Sequence, residues 1–145
     1  MRHNFCLFLL VLVSSASAAD RTEEVRSTEI AFAKAFADRD AKKFFSYLAE
    51  DAQFLGQHKI MHGKQEVIAV WSEFFKPATA PFRWEPERVV TNTAGDLGFS
   101  IGPVFDQAGA KIGTFTSTWM RQPDGSWKIL FDGGSACPPA KPSTE

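Results

Sequence analysis

The amino-acid sequence predicts an α+β domain in which three N-terminal helices pack on one face of an antiparallel sheet. Two observations carry this. From Asp20 to Phe75 the apolar residues recur at helical spacing, whereas from Phe82 to Asp132 they fall in short β-branched and aromatic runs separated by turn compositions. Helices followed by a strand meander bury themselves most simply as one layer against another.

The first residues stand apart from that domain. MRHNFCLFLLVLVSSASAAD has a basic start at Arg2, an apolar run from Phe5 to Val13, and Ala16-Ser17-Ala18 in the small-x-small pattern that signal peptidase reads. The apolar run is about half the ~20 residues a membrane-spanning helix needs. Residues 1–18 therefore read as a signal peptide, 19–137 as one domain and 138–145 as a disordered tail, with a periplasmic or secreted destination and no membrane attachment after cleavage. Cys6 leaves with the leader, so Cys137 remains alone and no internal disulfide is expected. With 16 basic and 17 acidic residues and no basic run, nucleic acid is a poor partner.

The elements follow in order. Asp20 and Glu23 read as a capping pair for a helix to about Asp38, whose apolar stripe of Val25, Phe32 and Phe36 also contains one acid, Glu29. A break at Asp38-Arg39-Asp40 leads to a second helix over Ala41 to Leu48. Ala52 to Leu55 reads as a short strand and Gly56 to Gly63 as a loop, and Lys64 to Phe75 as a third helix that Pro77 stops. Four strands follow at Arg83 to Asn92, Leu97 to Phe105, Lys111 to Arg121 and Trp127 to Asp132. Ala94-Gly95-Asp96, Gln107-Ala108-Gly109 and Pro123-Asp124-Gly125 supply the turns between them.

The element order resembles the cone-shaped fold of the nuclear transport factor 2-like superfamily, to which the SnoaL-like proteins and ketosteroid isomerases belong. The residues that carry the resemblance are Arg39-Asp40, Leu48-Ala49-Glu50-Asp51-Ala52, His62-Gly63-Lys64 and Gln122-Pro123-Asp124-Gly125-Ser126-Trp127-Lys128-Ile129. Ala94-Gly95-Asp96-Leu97-Gly98-Phe99, with Glu29, is most similar to the uncharacterised domain-of-unknown-function (DUF4440) branch. The resemblance covers nearly the whole chain after the leader, and it implies a fold more than a function, because one scaffold of this kind hosts several chemistries.

In the isomerases a tyrosine and an acid donate hydrogen bonds while an aspartate moves the proton. Here the resemblance puts Phe32, Phe115 and Gly56 at those positions, none of which can do that chemistry. It also turns Leu130, Asp132 and Gly134 of the last strand toward the cavity, and Trp127, Ile129 and Phe131 to the outside, where they would form a homodimer face.

The candidate acid and base groups are then Asp132, Glu29 and His58. A carboxyl group among Phe32, Phe115, Trp119 and Leu130 would have its pKa raised by desolvation. His58 lies two residues beyond the position of the lost base. Trp71, Trp84, Phe32, Phe99, Phe115, Trp119 and Leu130 are the expected ligand-binding set. Each has a plainer structural account: a hydrogen-bonded or ion-paired buried acid, a solvated loop imidazole, and core packing of the aromatic residues. His58 and His62 have no acid at ligand spacing, so no metal site is read, and no cofactor motif appears. Gly95, Gly98 and Gly102 fall on a turn and a strand with no helix start after them, which excludes a phosphate loop. The functional expectation is a small-molecule-binding domain with a mainly apolar ligand. A cofactor-free lyase, isomerase or hydrolase and a ligand-free interaction domain stand as alternatives.

Overall fold

The computed structural model of the protein describes residues 18–56 and 59–137. The leader, His58 and the tail from Pro138 lie outside the described residues. Helix α1 spans Ala18–Ala37, α2 Ala41–Ser46 and α3 Lys64–Trp71, the last continuing as a 3₁₀ turn over Ser72–Phe75. The strands are β1 Leu48–Leu55, β2 Ile60–His62, β3 Phe82–Trp84, β4 Arg88–Thr91, β5 Leu97–Asp106, β6 Lys111–Arg121 and β7 Trp127–Ala136. They form one sheet in the order β2-β1-β7-β6-β5-β3, with β4 also pairing with β5. All pairs are antiparallel except β1 with β7, so the sheet is mixed rather than purely antiparallel.

Helix α1 begins before Asp20, which is therefore inside the helix and not its cap. Its buried stripe is Val25, Glu29, Phe32, Ala35 and Phe36, the 3-4 spacing of a helix lying on a sheet. The break that follows has a local cause. Arg39 takes a left-handed φ of 65°, and the Asp40 side chain then caps α2 by accepting from the Lys43 N–H at 2.9 Å. Phe44 of α2 stacks on Phe32 at 4.3 Å between ring centroids and on Trp71 of α3 at 5.3 Å, which ties the three helices together.

Four boundaries differ from the sequence reading. The second helix stops at Ser46 and β1 starts at Leu48, because the Tyr47 carbonyl accepts from the Ile129 N–H and commits the chain to the sheet. Ile60–His62, expected as loop, pairs with Gln53–Leu55 as β2. The run from Arg83 to Asn92 is split into β3 and β4 around Pro86, which has no N–H to give to a ladder. Strand β7 runs on through both glycines to Ala136.

The largest correction is inside β7. Opposite β6, Thr118 pairs with Phe131 and Trp119 with Ile129, so Leu130 is an extra residue, a β-bulge. The bulge resets the alternation. Trp127 and Ile129 face the helices and are buried, whereas Phe131 faces out and is 46% exposed. Strict alternation had put all three outside. The homodimer face expected from them thus loses two of its three members.

Candidate functional site

Between the helices and the sheet lies a cavity of about 300 Å³, at the small end of the ~300–1,000 Å³ typical of ligand sites. Phe32 of α1 lies at its inner end, Trp71 and Phe74 come from α3 and the 3₁₀ turn, Trp84 from β3 and Phe115 from β6. Leu55 and Gly56 at the end of β1, with Gly133 and Gly134 of β7, complete the wall. Among the described residues, Asp132 is the sole lining residue with a carboxyl, amide or hydroxyl side chain.

Register explains how Asp132 reaches the cavity. Val89, Ser100, Ser117, Asp132 and Phe54 are direct cross-strand partners on β4, β5, β6, β7 and β1, so their side chains share the inner face of the sheet. Ser117 Oγ donates to Asp132 Oδ2 at 2.7 Å. Burial pushes the Asp132 pKa well above the usual carboxylate range, the nearby Glu29 charge pushes it further, and the Ser117 hydrogen bond opposes both.

Glu29 descends from α1 onto the same row and is fully buried. Its Oε1 accepts from Trp84 Nε1–H at 2.9 Å, and its Oε2 accepts from Trp119 Nε1–H at 2.9 Å and from Ser100 Oγ at 2.5 Å. Burial raises its pKa too, against the hydrogen bonds from Ser100, Trp84, Trp119 and Ser117. Two indole N–H groups and the Ser100 hydroxyl hold the Glu29 carboxyl firmly in one orientation, while the Ser117 hydroxyl lies between it and Asp132 and donates to Asp132. Glu29 is therefore built into the wall behind the cavity, and Asp132 presents itself to the cavity.

The expected site residues divide accordingly. Asp132, Phe32, Trp71, Trp84 and Phe115 come together around the cavity. Trp119 lies beneath it, with its indole used on Glu29. Leu130, displaced by its own bulge, is not among the lining residues, and Phe99 is on the outer face at 39% exposure because it has the opposite parity from Ser100. The sequence reading missed Ser100 and Ser117, although Ser117 alternates with Phe115 and Trp119 and Ser100 with two glycines. A hydroxyl among inward-facing positions was the available signal.

The two glycines after Asp132 have a packing explanation. A Cβ on Gly133 would lie 3.0 Å from Leu55 Cβ, and one on Gly134 would lie 2.8 Å from the Thr114 carbonyl oxygen. Close approach of β1 and β6 thus demands them. The positions that the resemblance matched to isomerase functional groups, Phe32, Phe115 and Gly56, all line the cavity and offer it no polar side chain. Among the described residues no group of three His, Cys, Asp or Glu side chains is placed to hold a metal ion, and no helix is long and apolar enough to cross a membrane.

The SnoaL-like domain family matches residues 25–140 of the chain. Among solved structures, a protein of unknown function from the DUF3225 family of Pectobacterium atrosepticum is similar at 20% identity and a TM-score of 0.70. The match covers 83% of this chain and 93% of that one. An NTF2-like protein of unknown function from Pseudomonas putida gives 20% identity and a TM-score of 0.68, over 88% of this chain and 100% of that one. A ketosteroid isomerase-like protein from Erwinia carotovora atroseptica gives 19% identity and a TM-score of 0.65, over 83% and 98% respectively. Among curated proteins, none matches the sequence.

Proposed function

The chain belongs to the SnoaL-like domain family, and from that premise we propose that it is an exported protein that binds a small, mainly apolar molecule in the cavity between its helices and its sheet. The observation that carries this reading is the cavity itself: aromatic and aliphatic walls with a single carboxyl group exposed to them. A space of this kind favours an apolar body, and one polar group fixes its orientation. Thermal melts with a panel of uncharged aromatic and alicyclic compounds test it, since a ligand that binds the folded state raises the midpoint with concentration. Failure of every compound to move the midpoint refutes the reading.

A second reading, acid–base catalysis without a cofactor, is favoured by the placement of Asp132 on β7 and of Glu29, which descends from α1, over one cross-strand row that contains Ser100 and Ser117. A carboxyl group whose pKa is raised toward neutrality can both give and take a proton. The phenylalanines and glycine at the isomerase positions speak against the ketosteroid reaction. Turnover that dies in Asp132→Asn while binding persists would identify an enzyme.

Export rests on the leader, and intact-mass measurement of the periplasmic protein should show a chain starting at Ala19. We also propose a homodimer through the outer sheet face, on residues other than those the alternation implied. Val90, Phe99, Thr118 and Phe131 are direct partners across four strands, and Ile101, Thr116, Gly133 and Leu55 form a parallel row. Val90, Phe99, Phe131 and Leu55 are each exposed by more than a third, which makes one apolar patch on an otherwise open face. A second copy is the simplest cover for a patch that runs straight across the sheet.

A further inference from the structure

We propose that Asp132 serves the cavity as an uncharged hydrogen-bond donor, and that the site selects neutral molecules carrying a carbonyl-type acceptor on an apolar body. The inference rests on the binding reading above and specifies its ligand class.

The two carboxyl groups have unequal surroundings. Glu29 receives three hydrogen bonds from protein donors, two indole N–H groups and the Ser100 hydroxyl. All three suit an ion that only accepts. Asp132 receives one, from Ser117 on Oδ2, and among the described residues no hydrogen bond engages its Oδ1. Among the described residues, Trp71, Trp84, Phe74, Phe82, Phe115 and Val104 bring no cation to it from α3, the 3₁₀ turn, β3, β5 or β6, and Glu29 is the ionisable group that faces it from α1. Where two such groups share one buried site, a single negative charge settles on the one that receives more hydrogen bonds. That is Glu29. Asp132 keeps its proton, and the free side of its carboxyl group is directed at the cavity.

The consequence is a choice among ligands. A neutral acid in an apolar wall donates to a ketone, ester or amide oxygen. A ligand carboxylate would meet the Glu29 charge. An amine would have to surrender its hydration and ionise Asp132 beside Glu29, which places two negative charges on one row. Burial and the Glu29 charge, which both hold the Asp132 proton on, act in the same direction.

Three probes of one carbon skeleton separate these cases: tetralin, 1-tetralone and 1-aminotetralin. With wild-type protein below the folded-state pKa that the carboxyl titration finds for Asp132, the ketone should bind about tenfold more tightly than tetralin, the equivalent of one net hydrogen bond, and the amine no better than tetralin. Asp132→Asn, whose amide also donates, should keep the preference for the ketone. Asp132→Leu should abolish it. Raising the pH through the folded-state value of Asp132 should erase the preference in the wild type and leave it in Asp132→Asn. Carbon-13 titration of the side-chain carboxyl groups, which needs no ligand, should show Glu29 ionising at lower pH than Asp132.

An amine that binds best, a ketone preference lost in Asp132→Asn, or an Asp132 that ionises before Glu29 would each overturn the proposal. If none of the three probes binds, tetralin included, the cavity reading fails and the ligand class fails with it. The carboxyl titration still decides where the charge sits, so the two failures are told apart.

Discussion

Replacing Asp132 by Asn should change how the stability of the protein depends on pH, with a sign and a slope that follow from where the side chain lies. Desolvation raises the Asp132 pKa in the folded protein, and Glu29 adds to the rise. In the unfolded chain the group titrates near its ordinary value of about 3.9. Between those two values the folded state holds one proton more than the unfolded state, so stability falls as pH rises. The slope is about 1.4 kcal/mol per pH unit while Asp132 remains protonated. Asn keeps the shape and an oxygen for the Ser117 hydroxyl but does not titrate. Below about pH 4 the two proteins should therefore have similar stability. Between the ordinary value and the folded-state one the variant should gain steadily on the wild type as pH rises, at up to that slope. The gain stops growing once pH passes the folded-state pKa. Glu29 contributes a slope of the same sign in both proteins. Paired urea denaturations at half-unit pH steps measure the effect. Parallel profiles would refute the placement of Asp132 in a desolvated wall.

Four further outcomes follow from particular residues. Glu29→Ala removes the acceptor of the buried Trp84 indole N–H and opens a void beneath the cavity, so it should cost about 3–5 kcal/mol in urea denaturation; a cost under about 1 kcal/mol would mean the network is dispensable. Gly102→Ala would put a Cβ 2.0 Å from the Glu85 carbonyl oxygen, and should cost about 3 kcal/mol where β5 passes the β3–β4 connection. Gly109→Ala, in open space at φ 86°, should cost only about 1–2 kcal/mol, the ordinary penalty of that backbone conformation. Phe131→Glu should convert a dimer to monomers in sedimentation velocity at micromolar concentration without changing the melting midpoint of the monomer fold; a monomeric wild type would remove the dimer proposal.

The fold was legible because its signals are local. Helical spacing in the first half, strand runs in the second and turn residues between them fixed the layers, and the resemblance supplied their arrangement. What escaped has physical causes in particular residues. Ile60–His62 is too short to show a period, and becomes a strand only because the end of β1 offers an unpaired edge. Leu130 looks like any other strand residue, yet it is the bulge that turns Trp127 and Ile129 inward while Asp132 still meets the cavity. Nothing in one strand's composition announces a bulge, since it arises from the partner strand's register. Glu29 and Asp132 were visible as acids among apolar neighbours. Their unequal roles were not, because the donors that hold Glu29 come from Trp84, Ser100 and Trp119, as many as 90 residues away in sequence. Phe99 and Trp119 illustrate the same limit: an aromatic residue in a strand declares itself buried or exposed only once parity and the helices above are known.

The central claim is that a small apolar molecule enters the space between helices and sheet. It is tested most directly by following the indole N–H signals of Trp71, Trp84, Trp119 and Trp127 by NMR while 1-tetralone is added. Saturable shifts at Trp71 and Trp84, which line the cavity, with Trp127 unmoved, are the predicted result. Shifts that are absent at Trp71 and Trp84, or that appear at Trp127 while those two stay fixed, would contradict it.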